Sequence, residues 1–243
     1  MPDILAKTKL IKQLVLVVVI GGILRFGLKN LGWHPPSLDN RLIPALVLWI
    51  IFSLYWGIAG RNSAPTKSSE SWASTYFHQF MLGVALLLLI LRVPGLNGWF
   101  LPERLHFLVV AGATVQAGFL LLAVWARWHL GRNWSAEVRI AMDHQLIRTG
   151  PYRFLRHPIY TAMLGMFLGT AIASSQVHAL VGFALLVVAY LRKTRLEDQI
   201  LAQAFGADYH AYRRHTWALV PLIGKPETGT GPLGNSGLPT NRE

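Results

Sequence analysis

The chain of 243 residues is 53% hydrophobic and only 14% charged, with a mean hydropathy of +0.39, against about 25% charge in an average soluble domain. That balance excludes a disordered chain, and the gathering of apolar residues into runs of roughly 15 to 22, almost free of charge, excludes an ordinary soluble globule. The net charge of +12 reflects Lys and Arg collected on one side of a membrane rather than nucleic-acid binding, and the absence of cysteine excludes disulfides, thiolate nucleophiles and cysteine-bound zinc.

Lys7, Lys9 and Lys12 precede the apolar run Leu14 to Leu24, which reads as a first membrane helix because no small-x-small cleavage site follows it. The next runs are Leu42 to Ala59, Phe77 to Leu91 and Leu105 to Ala126. Beyond Ala126 the chain turns polar and basic, and Gly150, Pro151 and Pro158 predict a structured extramembrane segment from Arg127 to Arg156. Two shorter runs, Ile159 to Ala173 and Val177 to Leu191, flank Ser174, Ser175 and Gln176, which predicts a tight helical hairpin, so that the chain has five or six full spans.

From Arg192 the pattern is amphipathic, with Leu196, Ile200, Leu201, Ala204 and Phe205 at helical spacing. The last membrane helix is therefore expected to continue beyond the membrane. Gly206 is expected to break it, and a short helix through Tyr209 and Tyr212 should end near His215. Three regions follow: N-terminal membrane helices to residue 126, a core from 127 to 224, and a disordered tail from 225 to 243 rich in Gly, Pro, Thr and Asn. With both termini on the cytoplasmic side, 18 of the 23 Lys and Arg face the cytoplasm, so chemistry is expected on that face.

Some motifs carry little. Gly229, Gly231 and Gly234 satisfy GxGxxG in a tail with no preceding strand, so the match is accidental. Asn133-Trp134-Ser135 fits a glycosylation acceptor but falls on the cytoplasmic side. Gly165 and Gly169 form a GxxxG that reads as close helix packing. Trp33, Trp72, Trp99 and Trp128 read as interfacial anchors. The nine histidines include no HExxH, and no metal site is expected.

Two stretches are informative. Asp143 to Tyr160 holds two prolines and a glycine on a non-helical path that leaves backbone groups available to a ligand, or simply caps the next helix. Arg192-Lys193-Thr194-Arg195-Leu196-Glu197-Asp198 sets two acids a turn after three bases, either a binding site or a solvated helix surface.

Together, His144, Leu146, Gly150-Pro151-Tyr152 and Arg156-His157-Pro158-Ile159-Tyr160, then Glu197-Asp198, Leu201, Phe205-Gly206, Tyr209 and Tyr212, resemble the isoprenylcysteine carboxyl methyltransferase family and the wider phospholipid methyltransferases. The resemblance spans about Leu130 to Pro221. It implies an all-α polytopic membrane bundle that binds S-adenosyl-L-methionine without a Rossmann domain. It places Glu137, His144, Gln145, Leu146, Ile147, Tyr152, His157, Pro158, Tyr160 and Glu197 around the cofactor. A family Arg that faces the substrate carboxylate falls on Lys193, which keeps the charge and loses the bidentate fork, with Arg192 and Arg195 as its alternates. The second family Glu is shortened here to Asp198.

The expected reaction is methyl transfer to a lipophilic substrate that slides in from the bilayer, most specifically the carboxylate of an isoprenylated cysteine. The alternatives are N-methylation of a phospholipid amine, which needs His157 or Glu197 as base, a non-enzymatic membrane scaffold or transporter subunit, and a nicotinamide-dependent lipid reductase.

Overall fold

The computed structural model describes residues 40–59, 66–69, 72–90, 96, 98–99, 107–131, 139–141 and 146–220. The run Leu14 to Leu24, the Asn133 acceptor motif, the glycine-rich tail, Glu137, His144 and Gln145 lie outside them. Among the described residues, a 3-10 turn at Asn40–Leu42 is followed by six α-helices: α1 (Ile43–Ala59), α2 (Trp72–Ile90), α3 (Phe107–Leu130), α4 (Pro158–Ser174), α5 (Val177–Phe205) and α6 (Ala207–His215). Each of the five apolar runs that fall on described residues is a helix, and the protein is an all-α helical membrane protein.

Among the described residues three helical stretches, Asn40–Ala59, Phe107–Leu130 and Val177–Phe205, are long and apolar enough to cross a membrane. At 1.5 Å per residue the 29 residues of α5 reach about 43 Å, well past a hydrocarbon core of about 30 Å. It is therefore longer than a perpendicular span requires, and the surplus matches the amphipathic turns that begin at Arg192. Gly206, with φ +51°, separates α5 from α6. The hairpin between α4 and α5 turns on Ser175, which adopts the left-handed conformation at φ 56°.

Helix α4 is the centre of the bundle. It buries residues on every side, as expected for a helix apolar all round. One core cluster joins it to α1 and α3 through Phe52, Leu120, Ala123, Ala162 and Met166. The other joins it to α2 and α5 through Ala85, Leu89, Phe167, Ala171, Ala179, Leu186 and Tyr190. Its contact with α3 is backbone to backbone: a Cβ on Gly169 would lie 2.5 Å from the Gly112 carbonyl, and one on Gly112 would lie 2.4 Å from the Gly169 carbonyl. The GxxxG reading is thus a real seam, with Gly112 as the partner that the motif alone does not name. A buried polar chain crosses the same layer, Trp49 Nε1 donating to Thr170 Oγ1 at 3.0 Å and Gln116 Nε2 to the Ala45 carbonyl at 2.9 Å.

The sequence reading has no strands, yet Thr66–Ser69 pairs antiparallel with Arg139–Ala141. Both polar segments are too short to show periodicity, and the pairing is long-range. It puts the loops that follow α1 and α3 on one side of the bundle, and Arg127 reinforces this by donating to the Ala59 carbonyl. At the opposite end, Val177 N–H donates to the Gly98 carbonyl at 2.8 Å and Arg41 sits over the Trp99 ring at 4.0 Å.

Candidate active site

The site is assembled where the chain leaves α3 and approaches α4. Gly150 has φ +58°, and a Cβ there would strike the His129 ring at 2.3 Å, so conformation and space both require glycine. Pro151 then starts a one-turn 3-10 helix, Gly150–Arg153, where its missing N–H costs nothing. Next, Leu155 pairs in parallel with Trp217. Arg156 N–H donates to the Trp217 carbonyl at 2.8 Å and His157 N–H to the Ala218 carbonyl at 3.1 Å. The segment after α6 thereby clamps the Arg156-His157-Pro158 stretch onto the end of α5.

Asp198 is the hub beneath this clamp. Its Oδ1 accepts from His157 Nε2 at 2.8 Å and from the Tyr209 hydroxyl, and it lies 3.5 Å from Arg156 Nε. Arg156 also donates to the carbonyls of Arg213, at 3.2 Å, and Thr216. Tyr212 donates to the Tyr152 carbonyl at 2.6 Å. This acid is an anchor for buried cations and for α6.

Glu197 faces elsewhere. Its side chain keeps 26% exposure, and Oε2 lies 3.4 Å from His157 Nδ1, within ion-pair range and without a well-formed hydrogen bond among the described residues. Tyr160 and Lys193 act on the same carboxylate, and the Tyr160 ring stacks on His157 with centroids 5.6 Å apart. Burial lowers the His157 pKa, but the bonds to Asp198 and Glu197 outweigh it and raise the imidazole to about 9. At neutral pH His157 is therefore a cation that donates from Nε2 to Asp198 and turns Nδ1 toward Glu197. Burial, then Asp198, push the Tyr209 hydroxyl well up, so it stays a donor.

The structure thus gathers Tyr160, His157, Glu197 and Lys193, with Tyr152 close enough for Glu197 to raise its hydroxyl pKa after burial has done so. Pro158 is fully buried as the first residue of α4. Leu146 and Ile147 are half-buried ahead of the turn. Arg192 and Arg195 are not gathered in: they line a groove on another face of α5 with Val188, Leu191, Leu196 and Gln199. Arg156, Tyr209, Tyr212 and Thr216 were given no role from sequence. Arg156, Tyr209 and Tyr212 were signalled only by membership of the motif and Thr216 by nothing, since the partners lie 11 to 60 residues apart.

Residues 107–208 match the family model described as phospholipid methyltransferase. The Protein-S-isoprenylcysteine O-methyltransferase A of Arabidopsis thaliana is 25% identical over 55% of this chain, and that alignment spans 66% of the relative's own length. The cobalt-zinc-cadmium resistance protein CzcN of Cupriavidus metallidurans is 35% identical over 39% of this chain and 44% of its own. A solved structure described as the eukaryotic intramembrane Ras methyltransferase ICMT aligns with 77% of this chain and 71% of its own at a TM-score of 0.49 and 18% identity.

Proposed function

Because residues 107–208 carry the phospholipid methyltransferase pattern, we propose that the protein is a membrane methyltransferase that uses S-adenosyl-L-methionine and methylates a lipophilic carboxylate, of which an isoprenylated cysteine is the best fit. The observation that carries this reading is Glu197, a carboxylate with a buried, under-bonded oxygen beside the aromatic rings of Tyr160 and His157. That donor set suits a cationic ligand. The cofactor, when bound, supplies an electrophilic methyl group on a positively charged sulfur.

On this reading Glu197, Tyr160, His157 and Tyr152, with the backbone from Leu146 to Pro158, hold the cofactor, and Glu137, His144 and Gln145 complete the set that the resemblance implies. Lys193, one turn from Glu197, orients the substrate carboxylate. A carboxylate is already ionised at pH 7, so the residues need only exclude water and hold the reacting atoms about 3 to 3.5 Å apart in line. An amine nucleophile needs a proton acceptor, and His157 is unsuited because its proton is retained up to about pH 9. The family description favours phospholipid N-methylation as the second reading, with Glu197 left as the base.

The test is transfer from methyl-labelled S-adenosyl-L-methionine to a mixture of a prenylcysteine analogue and membrane lipids, followed by mild base. Base-labile label released as methanol is expected, with Lys193→Ala lowering turnover and sparing cofactor binding. Base-stable label in lipid moves the assignment to amine methylation, and no label despite cofactor binding removes both substrates.

A further inference from the structure

Arg192 and Arg195 form a second polar feature on α5. They line a groove of about 460 Å³ whose other walls are Val188, Leu191, Leu196 and Gln199. Arg192 Nη2 donates to Ser74 Oγ on α2 at 2.6 Å, and the guanidinium lies 4.9 Å from the Phe77 ring, so its position is fixed by two contacts. Its Nη1 is buried and has no acceptor among the described residues. A buried guanidinium donor without an acceptor is costly, and an oxyanion is the partner that its planar fork fits.

The groove lies where the apolar part of α5 ends, at Leu191, and the basic part begins. About one and three turns deeper than Arg192 the same helix face presents Val188 and Val181, both exposed large apolar residues. The face therefore reads, along the bilayer normal, as an apolar strip topped by two cations. Lys193 and Glu197 project from α5 in another direction, at helical offsets of about 100° and 140° from Arg192, so this groove is separate from the cluster around His157.

We propose that this groove seats the phosphate headgroup of an anionic membrane phospholipid, with Arg192 and Arg195 on the phosphate and the acyl chains along Val188 and Val181. The bound phosphate adds an anionic partner to the Arg192 guanidinium, which Ser74 and Phe77 already hold against α2. The proposal is independent of methyl transfer, and no methyl donor enters its test.

The experiment uses the full chain, delipidated in a neutral detergent, with phosphatidylglycerol or phosphatidylcholine of matched acyl chains added back. Lipid retention is read by native mass spectrometry and the unfolding midpoint by thermal denaturation. Phosphatidylglycerol is expected to bind more tightly and raise the midpoint more than phosphatidylcholine. Arg192→Gln with Arg195→Gln should weaken its binding by about tenfold or more, the loss of a charge-assisted bond. Should that double variant not fold, Gln199→Glu adds a negative charge at the exposed rim and is expected to weaken phosphatidylglycerol alone. Equal response to both lipids, an unchanged preference in the variant that folds, or the same stabilisation by inorganic phosphate alone overturns the proposal. So does Arg192-dependent stabilisation by a prenylcysteine in place of phosphatidylglycerol, which would make the groove a substrate site.

Discussion

Adjacent acids on one helix turn have different duties, because consecutive residues on a helix point about 100° apart. Asp198 holds Arg156, His157 and Tyr209, so Asp198→Asn leaves buried cations unpaired and should cost about 3 to 5 kcal/mol of stability. Glu197→Ala should instead lower affinity for S-adenosylhomocysteine by about 1 to 3 kcal/mol, with a far smaller loss of stability. Isothermal titration beside thermal denaturation separates the two, and equal effects of both substitutions on both readouts would undo the division of labour. His157 gives a pH signature. Its folded pKa of about 9 exceeds the ordinary histidine value of 6.5, so its contribution is complete below about pH 6.5 and is lost as pH rises through 9. The shift corresponds to about 3 kcal/mol. Unfolding midpoints should fall between pH 6 and pH 9.5 more steeply in the native chain than in His157→Gln, and parallel curves would contradict the assignment.

Helix α4 has 17 residues, about 25 Å at the helical rise. It gains stability by being enclosed between neighbours. The seam with α3 depends on two missing side chains, since each of Gly112 and Gly169 occupies the space that a Cβ on the other would need. Gly169→Ala is expected to destabilise by about 1 to 3 kcal/mol through overpacking. Gly118→Ala, in the same seam helix but with open space around it, should be neutral or slightly stabilising because alanine restricts the unfolded chain. Thermal unfolding in detergent measures both, and a stable Gly169→Ala protein would mean that the helices separate freely. Element α6 is too short to stand alone. It is held by Tyr209 and Tyr212, whose hydroxyls reach Asp198 and the Tyr152 carbonyl.

The helical bundle formed by the described residues has two unlike ends. One carries the β pairing, the clamp around Trp217 and the acid cluster, whereas the other carries Trp99 and the hairpin between α4 and α5. From the charge bias of the sequence we propose that the first end is the cytoplasmic one. Because the chain has no cysteine, single introduced thiols report this directly. Arg214→Cys, exposed near the clamp, should react with an impermeant maleimide only after cells are permeabilised. Gly98→Cys, exposed at the opposite end, should react in intact cells, and the reverse pattern would invert the orientation.

Hydrophobic run length and the spacing of charge determined the helices, the hairpin at Ser174 to Gln176 and the break at Gly206, because each follows from local solvation or local backbone freedom. The compound motif likewise picked out His157, Tyr160, Lys193 and Glu197, which the structure gathers. Tertiary structure decided what periodicity cannot carry. It set Arg192 and Arg195 on a face apart from Lys193, since neighbours in sequence diverge around a helix. It also made Asp198 an anchor and left a Glu197 oxygen without a hydrogen bond among the described residues, because the partners that separate them come from the start of α4, α6 and the clamp. The pairing of Thr66–Ser69 with Arg139–Ala141 was illegible for the same reason: two short polar segments specify a contact only once the helices between them have packed.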